Sequence, residues 1–459
     1  MASALHSSHP ASPRNQVTLI GLAAITVIFA YLTVYAFTEM GARDYYLSRA
    51  GFYALPAIPE VFLAAIIGIG IPLLWLPRRI IVASDICIHY LYFFVLVPSC
   101  VLLPYRSTLS AEQQIWNIIT LVAAFALLEA RRVLPQSIEW RIPLQSATVY
   151  LRLLIAATVI FFVIIFSTNT LSLENINFFE VYEQRRQFLN DESIARLITG
   201  YAGNWAAVAL APIISIYALE RRQYLLSLFG PAIAFTAFAA TSFKSQIFVP
   251  LVVIVIYFAM VVLKEQSRAY VVGLFALGLS VASIAIDLFW TKGLIITWAT
   301  QFRFVGNNGF LTAQYFNFFT ERPKGYYADS IGRLFFQSYY NVPISQAVGE
   351  SFSPVVGNHA NANLWADGFG NLGTLGIFVA SAELVVFMWV VDSGTRGRSA
   401  ILVAPAMISA CFALANTSVH SMLSSNGGWL LIALLAAMPT HRVVERQFKF
   451  RQREVVLPQ

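Results

Sequence analysis

The stretch Thr241–Arg268, TSFKSQIFVPLVVIVIYFAMVVLKEQSR, decides the fold. Its centre, 247–263, holds no charged residue, and the run ends abruptly at Lys264 and Arg268. An uncharged apolar run of this kind crosses about 30 Å of hydrocarbon as a helix of roughly 20 residues. The basic residues that stop it mark a cytoplasmic connection, because Lys and Arg concentrate in short cytoplasmic loops. Composition generalises the point: hydrophobic residues make up 58% of the chain and charged residues 12%, with mean hydropathy +0.68. Soluble domains carry about 25% charged residues. The chain therefore reads as an integral membrane protein, and its net charge of +7 reports orientation rather than a nucleic-acid partner.

Working outward in both directions, apolar runs recur at about 17–38, 61–76, 80–104, 115–129, 148–167, 201–219, 223–240, 247–263, 269–289, 373–392, 400–419 and 427–439. The expected fold is an all-α polytopic bundle of about twelve transmembrane helices. The first run is too long for a signal-peptide core and reads as an uncleaved span. Alternate connections are short and basic: Arg78 and Arg79; Arg131, Arg132 and Arg141; Arg221 and Arg222; Lys264 and Arg268; Arg396 and Arg398. With the tail bearing Arg442, Arg446, Lys449, Arg451 and Arg453, they place both termini in the cytoplasm. The expected organisation is a tail at 1–16, spans one to nine at 17–289, an external loop at 290–372, spans ten to twelve at 373–439 and a basic tail at 440–459.

The other connections are longer and mixed in charge. Between Thr168 and Gly200, acidic and basic residues balance, suiting a short amphipathic surface helix. From about Trp290 to Leu372 there is no apolar span. That segment, rich in Tyr, Phe, Asn and Gly, is expected to fold over the outer face as the functional region. No internal repeat, nucleotide-binding motif or metal-ligand pattern is legible, and Cys87, Cys100 and Cys411 are spaced neither as a metal site nor as a disulfide framework.

Ionisable residues within spans are costly and therefore candidates for function. Asp85 and His89, four apart on one helical face, suit a mutual pair, and Glu383 lies in the tenth run. Helix-stabilising hydrogen bonds and a proton relay both fit them. Lys244 sits in an outer turn, either snorkelling to the surface or serving as a point charge for a phosphate. In 301–319, QFRFVGNNGFLTAQYFNFF, Arg303 precedes a Gly-Asn-Asn-Gly turn and an aromatic helix with Tyr315, which also reads as re-entrant or interfacial. In 356–376, VGNHANANLWADGFGNLGTLG, His359, Asn361, Asn363 and Asp367 gather among glycines. Asn and His supply the donors and acceptors that sugar hydroxyls need, and a loop histidine without catalytic role is the plainer alternative. Lys292 and Arg333 are further cations of the same segment.

The Arg-Phe-Val-Gly and Ala-Gln-Tyr-Phe-Asn-Phe-Phe runs, with Asn-Ala-Asn-Leu-Trp-Ala-Asp-Gly-Phe-Gly-Asn-Leu-Gly-Thr-Leu-Gly, resemble the bacterial O-antigen (oligosaccharide repeat unit) polymerases. The span count resembles that family too. The sharper likeness covers Lys244 and residues 301–376, and the Arg-x10-Gly motifs of some members are absent from both long outer loops. The resemblance implies a GT-C-like membrane glycosyltransferase in the bacterial inner membrane, joining undecaprenyl-pyrophosphate-linked oligosaccharide donor and acceptor at the periplasmic face. It implies no cofactor and no metal, membrane lipid as surroundings, and a chain-length regulator as a candidate further partner. An O-antigen ligase or other lipid-linked-sugar transferase, and a polysaccharide or lipid transporter, are the alternatives. On that reading His359, with Asp367 next, is the catalytic base. Arg303, Lys244, Arg333 and Lys292 hold pyrophosphate, and Tyr315, Asn361 and Asn363 hold sugar.

Overall fold

The computed structural model describes residues 13–40, 54–135, 140, 142, 144, 146–168, 188, 193–291, 295–353 and 357–439. Lys292, residues 1–12 of the first tail, the whole tail at 440–459 and most of the expected surface helix between 168 and 200 lie outside the described residues. The architecture is all-helical. In chain order the helices are α1 (Asn15–Glu39), α2 (Pro59–Leu74), α3 (Ala83–Arg106), α4 (Ala111–Arg132) and α5 (Ala147–Ser167). There follow α6 (Ile194–Glu220), α7 (Tyr224–Thr241), α8 (Ser245–Val262) and α9 (Glu265–Thr291). Three shorter helices, α10 (Asn307–Thr320), α11 (Ile344–Phe352) and α12 (Leu364–Leu372), occupy the segment without an apolar run. The chain closes with α13 (Thr374–Gly394), α14 (Ala400–Leu414), α15 (Val419–Ser424) and α16 (Gly428–Ala437).

Among the described residues, nine helices are long and apolar enough to cross a membrane, and α2, α14 and α16 are shorter apolar helices. This is a multi-pass membrane protein, and each apolar run of the sequence coincides with one of these helices. Proline interrupts several of them, at Pro104 in α3, Pro250 in α8 and Pro405 in α14. Such breaks are tolerated in membrane helices because neighbouring groups satisfy the freed backbone. Wider π turns at Tyr92–Leu96 and Ala206–Leu210 do likewise, and Ser409 Oγ donates to the Val208 carbonyl at 2.5 Å.

The helix α3 is the axis of the bundle. All but Tyr105 of its residues are buried, packed among α1, α2, α4, α9, α10, α13 and α14. Its two ends carry charge. At the first, Arg131 of α4, 3% exposed, reaches Asp85 at 2.7 Å and Asp392 of α13 at 3.6 Å, and donates to Ser84 Oγ at 2.5 Å. Asp85 also accepts from the backbone N–H of Ile81 and Val82, at 2.8 and 3.0 Å, closing the start of the helix. The expected Asp85–His89 pair is not what forms: Asp85 belongs to Arg131, and His89 Nε2 meets the Pro77 carbonyl at 2.8 Å. A guanidinium from another helix matches a carboxylate in charge and shape, whereas a neighbouring imidazole offers one nitrogen.

At the other end, the buried Arg106 lies 4.9 Å from the centre of the Phe310 ring. With the Gln314 amide turned to satisfy both groups, its oxygen accepts from Arg106 Nε and Nη2 at 2.6 and 2.8 Å.

The aromatic helix α10, which the sequence offers as re-entrant or interfacial, lies inside the bundle. Residues from Asn308 to Phe319 are almost all buried, and the helix packs along the second half of α3. Its polar side chains explain this. Asn308 Nδ2 donates to the Phe94 carbonyl at 2.8 Å, Thr312 and Ser99 hydroxyls meet at 3.0 Å, and Asn317 Oδ1 accepts from Ser107 Oγ at 2.9 Å. Each of these groups would be unsatisfied facing lipid, and facing α3 it is paired. The two backbones close in at Gly309, where an added Cβ would collide with the Pro98 carbonyl. Gly309→Ala is therefore expected to lower the stability of the purified protein by about 1–3 kcal/mol, as overpacking does. Thermal unfolding in detergent reads this, and an unchanged melting temperature would show the helices are free to separate.

Candidate functional site

A cavity of about 800 Å³ opens among α6, α8, α9, α14 and the segment leading into α10. Lys244, Arg303, His359 and Asn361 line it together, although they stand far apart in sequence. Further polar lining comes from residues that include Asn204, Ser242, Ser245, Gln246, Thr300, Asn307, Asn416, Thr417 and Asn426. Its apolar lining comes from Phe94, Phe248, Val252, Phe275, Leu279, Ile408 and Phe412. The cavity is thus amphipathic, with cations and amides in one part and hydrocarbon in the other.

Lys244 is held by a short, constrained turn. The helix α7 ends at Ser242, whose φ of 58° is left-handed, and its N–H reaches back to the Phe238 carbonyl at 2.7 Å. Thr241 Oγ1 donates to Gln246 Oε1 at 2.7 Å, and Gln246 Nε2 donates to Asn204 Oδ1 at 3.0 Å, tying the turn to α6. Burial, followed by the nearby charge of Arg303, holds the Lys244 ammonium below its ordinary pKa range. Arg303 projects from the π turn Trp298–Gly306, its guanidinium 4.5 Å from the Trp298 ring centre. A ring face orients the planar cation.

His359 is exposed, with Nδ1 3.0 Å from Ser345 Oγ of α11. When Nδ1–H is the donor in that contact, Nε2 is the basic nitrogen. The adjacent Ala360 is pinned on both sides, its N–H donating to the Ser345 carbonyl at 2.8 Å and its carbonyl accepting from Tyr315 Oη at 2.9 Å. Tyr315 is buried and does not line the cavity; it holds the backbone beside His359. Asn363 is also buried away from the cavity. Its Oδ1 caps α12 through the N–H of Trp365 and Ala366 at 3.1 and 3.2 Å, and its Nδ2 donates to Thr312 Oγ1 at 2.8 Å.

Asp367 and Arg333 do not line the cavity either. Arg333 is exposed on the segment between α10 and α11. Asp367 lies in α12 with its carboxyl turned inward toward Asn371, whose Nδ2 donates to Oδ2 at 3.3 Å. Burial pushes it up to about 7, and the nearby Glu383 and Asp329 add to the rise. Among the described residues no group of three or more His, Cys, Asp or Glu could hold a metal ion.

Asn204, Asn307, Asn416 and Asn426 were not singled out from the sequence. Asn416 and Thr417 fall within the apolar run 400–419 of the sequence, whereas α14 ends at Leu414. The polar signal was present as Asn-Thr-Ser at 416–418.

No family model, curated protein or solved structure matches the chain. Two cations can take up charge on an oxyanion, a histidine can accept a proton, the amides can orient hydroxyls, and the apolar lining can hold hydrocarbon.

Asp367 gives a pH signature distinct from the cavity. Its ordinary pKa of 3.8 is raised in the folded state, so the folded protein binds the proton more tightly than the unfolded chain. Stability from this group is present at low pH and is lost as pH rises from about 4 through about 7. The melting temperature of the wild type should fall relative to Asp367→Asn over that window and keep a constant offset above about 8. A pH-independent offset would show that the carboxyl is not buried in the protonated form.

Proposed function

We propose that the cavity binds a lipid-pyrophosphate-linked oligosaccharide and that the protein is a membrane glycosyltransferase that polymerises such units at the outer face of a bacterial inner membrane. The observation that carries this reading is the convergence of Lys244, Arg303, His359 and Asn361 on one amphipathic cavity. Such a donor has three chemically distinct parts, a hydrocarbon tail, a pyrophosphate and a sugar, and the cavity offers a lining suited to each.

In the proposed reading the bundle crosses the bilayer about twelve times with both termini in the cytoplasm. The helix α8 runs from the Lys244 turn to the basic connection at Lys264. A helix of 18 residues spans about 27 Å, so the two charged ends lie at opposite faces. The cavity then opens on the face remote from the short basic connections.

The transfer balances as a displacement. The acceptor hydroxyl oxygen forms a bond to the anomeric carbon of the donor sugar, while the bond from that carbon to pyrophosphate breaks. The bonding pair leaves on the pyrophosphate oxygen, and the hydroxyl proton passes to His359 Nε2. Lys244 and Arg303 stabilise the charge that develops on the leaving group, a term that grows toward the transition state and therefore accelerates the step. Asn361 and the amides of Asn307, Asn416 and Asn426 orient the sugars. The activated donor supplies the energy.

Purified protein in liposomes, given lipid-pyrophosphate-linked repeats, should lengthen them without added nucleotide. Arg303→Ala should slow chain growth by about 10²–10³-fold. Arg303→Lys should recover little of it, because an ammonium does not form the two parallel hydrogen bonds of a guanidinium. His359→Ala should slow the chemical step by about 10²–10⁴-fold with donor binding retained. Wild-type elongation by Arg303→Ala at equal protein level would contradict the proposal.

A further inference from the structure

The outer segment between α10 and α11 presents large apolar side chains to the outside of the protein. Leu334 is 85% exposed, Phe335 79%, Tyr339 71% and Ile331 65%, with Tyr326 and Phe336 about half exposed. Scattered exposed hydrophobics are ordinary, but a contiguous group on a short segment marks a contact with something apolar.

The segment is built rather than slack. Tyr326 and Tyr327 are consecutive non-glycine residues with left-handed φ of 51° and 55°. This backbone is uncommon for aromatic residues and persists only where the surroundings fix it. Here they do. The N–H of Gly325 and of Tyr326 donate to the Gly370 and Asn371 carbonyls at 3.0 and 3.1 Å, and Tyr327 N–H donates to Asn371 Oδ1 at 2.7 Å. Gly332 N–H donates to the Tyr327 carbonyl at 2.8 Å, in a fold so tight that a Cβ on Gly332 would collide with the backbone of Tyr326 and Tyr327. The N–H groups of Phe335 and Phe336 both return to the Gly332 carbonyl at 2.9 Å, and the Phe336 ring lies 5.6 Å from that of Tyr326. The strained turn therefore holds the apolar side chains outward in a fixed arrangement.

We propose that this turn, from Tyr326 to Tyr339, is a membrane anchor that inserts its apolar side chains into the lipid interface, with Arg333 on the phosphates of the headgroups. Two observations choose lipid as the occupant. The turn is hydrogen-bonded to the last residues of α12, directly before α13, whose first turn exposes Leu375 at 65%. The base of the turn is thus tied to the chain within a few residues of a membrane-spanning helix that exposes an apolar side chain in its first turn. Within the patch the exposed Arg333 is the cation that can meet phosphate, while Asp329 is turned to the fold, its Oδ2 accepting from the Ile344 N–H at 2.7 Å. Tyr and Phe with Arg is the side-chain mixture that membrane interfaces favour. The proposal stands apart from any sugar chemistry and holds whichever reaction the cavity performs.

Site-directed spin labelling of the full chain in vesicles of phosphatidylethanolamine and phosphatidylglycerol tests it. The native Cys87, Cys100 and Cys411 are buried, so a thiol reagent should report on introduced residues. Nitroxides on Leu334→Cys and Phe335→Cys should favour oxygen over a water-soluble nickel chelate severalfold more than one on the exposed Ser351→Cys, matching Leu375→Cys. Their depth should fall roughly 5–10 Å inside the headgroup boundary. Adding Arg333→Glu should move the Phe335 label toward water, and an unchanged depth would remove Arg333 from the contact. Labels at Leu334 and Phe335 as open to the chelate as Ser351, in vesicles holding no other protein, would overturn the anchor and leave a protein partner as the occupant.

Discussion

The arrangement depends on a polar seam buried inside an apolar bundle, where α10 lies against α3. Asn308, Thr312, Gln314 and Asn317 on one side meet the Phe94 carbonyl, Ser99, Arg106 and Ser107 on the other. In hydrocarbon an unpaired amide or hydroxyl costs several kcal/mol, so these groups hold their partners more firmly than the same groups would in water. The seam draws a helix of low hydropathy into the interior, and Gly309 lets it approach closely enough for the bonds to form.

The cavity follows from that insertion. Because α10 is fixed, the π turn before it holds Arg303 on the cavity wall, and Asn363, anchored to Thr312, fixes the start of α12. Tyr315, also on α10, grips the Ala360 carbonyl and so places His359. Lys244 arrives independently, on the α7–α8 turn braced by Thr241, Gln246 and Asn204. Two supports that share no residue thus bring the cations to one cavity, whose apolar lining is furnished largely by α8, α9 and α14. At that cavity Lys244 is half-buried and Arg303 is exposed.

The helices themselves were legible because an uncharged apolar run has one stable form in a bilayer, and every run proved helical. Lys244, Arg303, His359 and Asn361 were legible as residue types suited to anions and sugars. Their meeting in one cavity was not, since it depends on helix packing. Tyr315 and Asn363 carry the same signals yet spend their polar atoms within the fold. The aromatic helix itself was legible in 301–319, but its inward position was not, because it depends on the partners that Asn308, Thr312, Gln314 and Asn317 find on α3. Asp85 and His89 misled for a related reason: a spacing of four puts both on one face, but Arg131 from α4 is the stronger partner.

The most direct measurement is an electron cryomicroscopy map of the protein in lipid nanodiscs with a non-transferable lipid-pyrophosphate sugar analogue. Phosphate density against Lys244 Nζ and the Arg303 guanidinium is the expected result, with the lipid tail along Phe248, Val252, Phe275 and Leu279 and the sugar toward His359 and Asn361. An analogue seated elsewhere on the protein, leaving this cavity to water or bulk lipid, would contradict it.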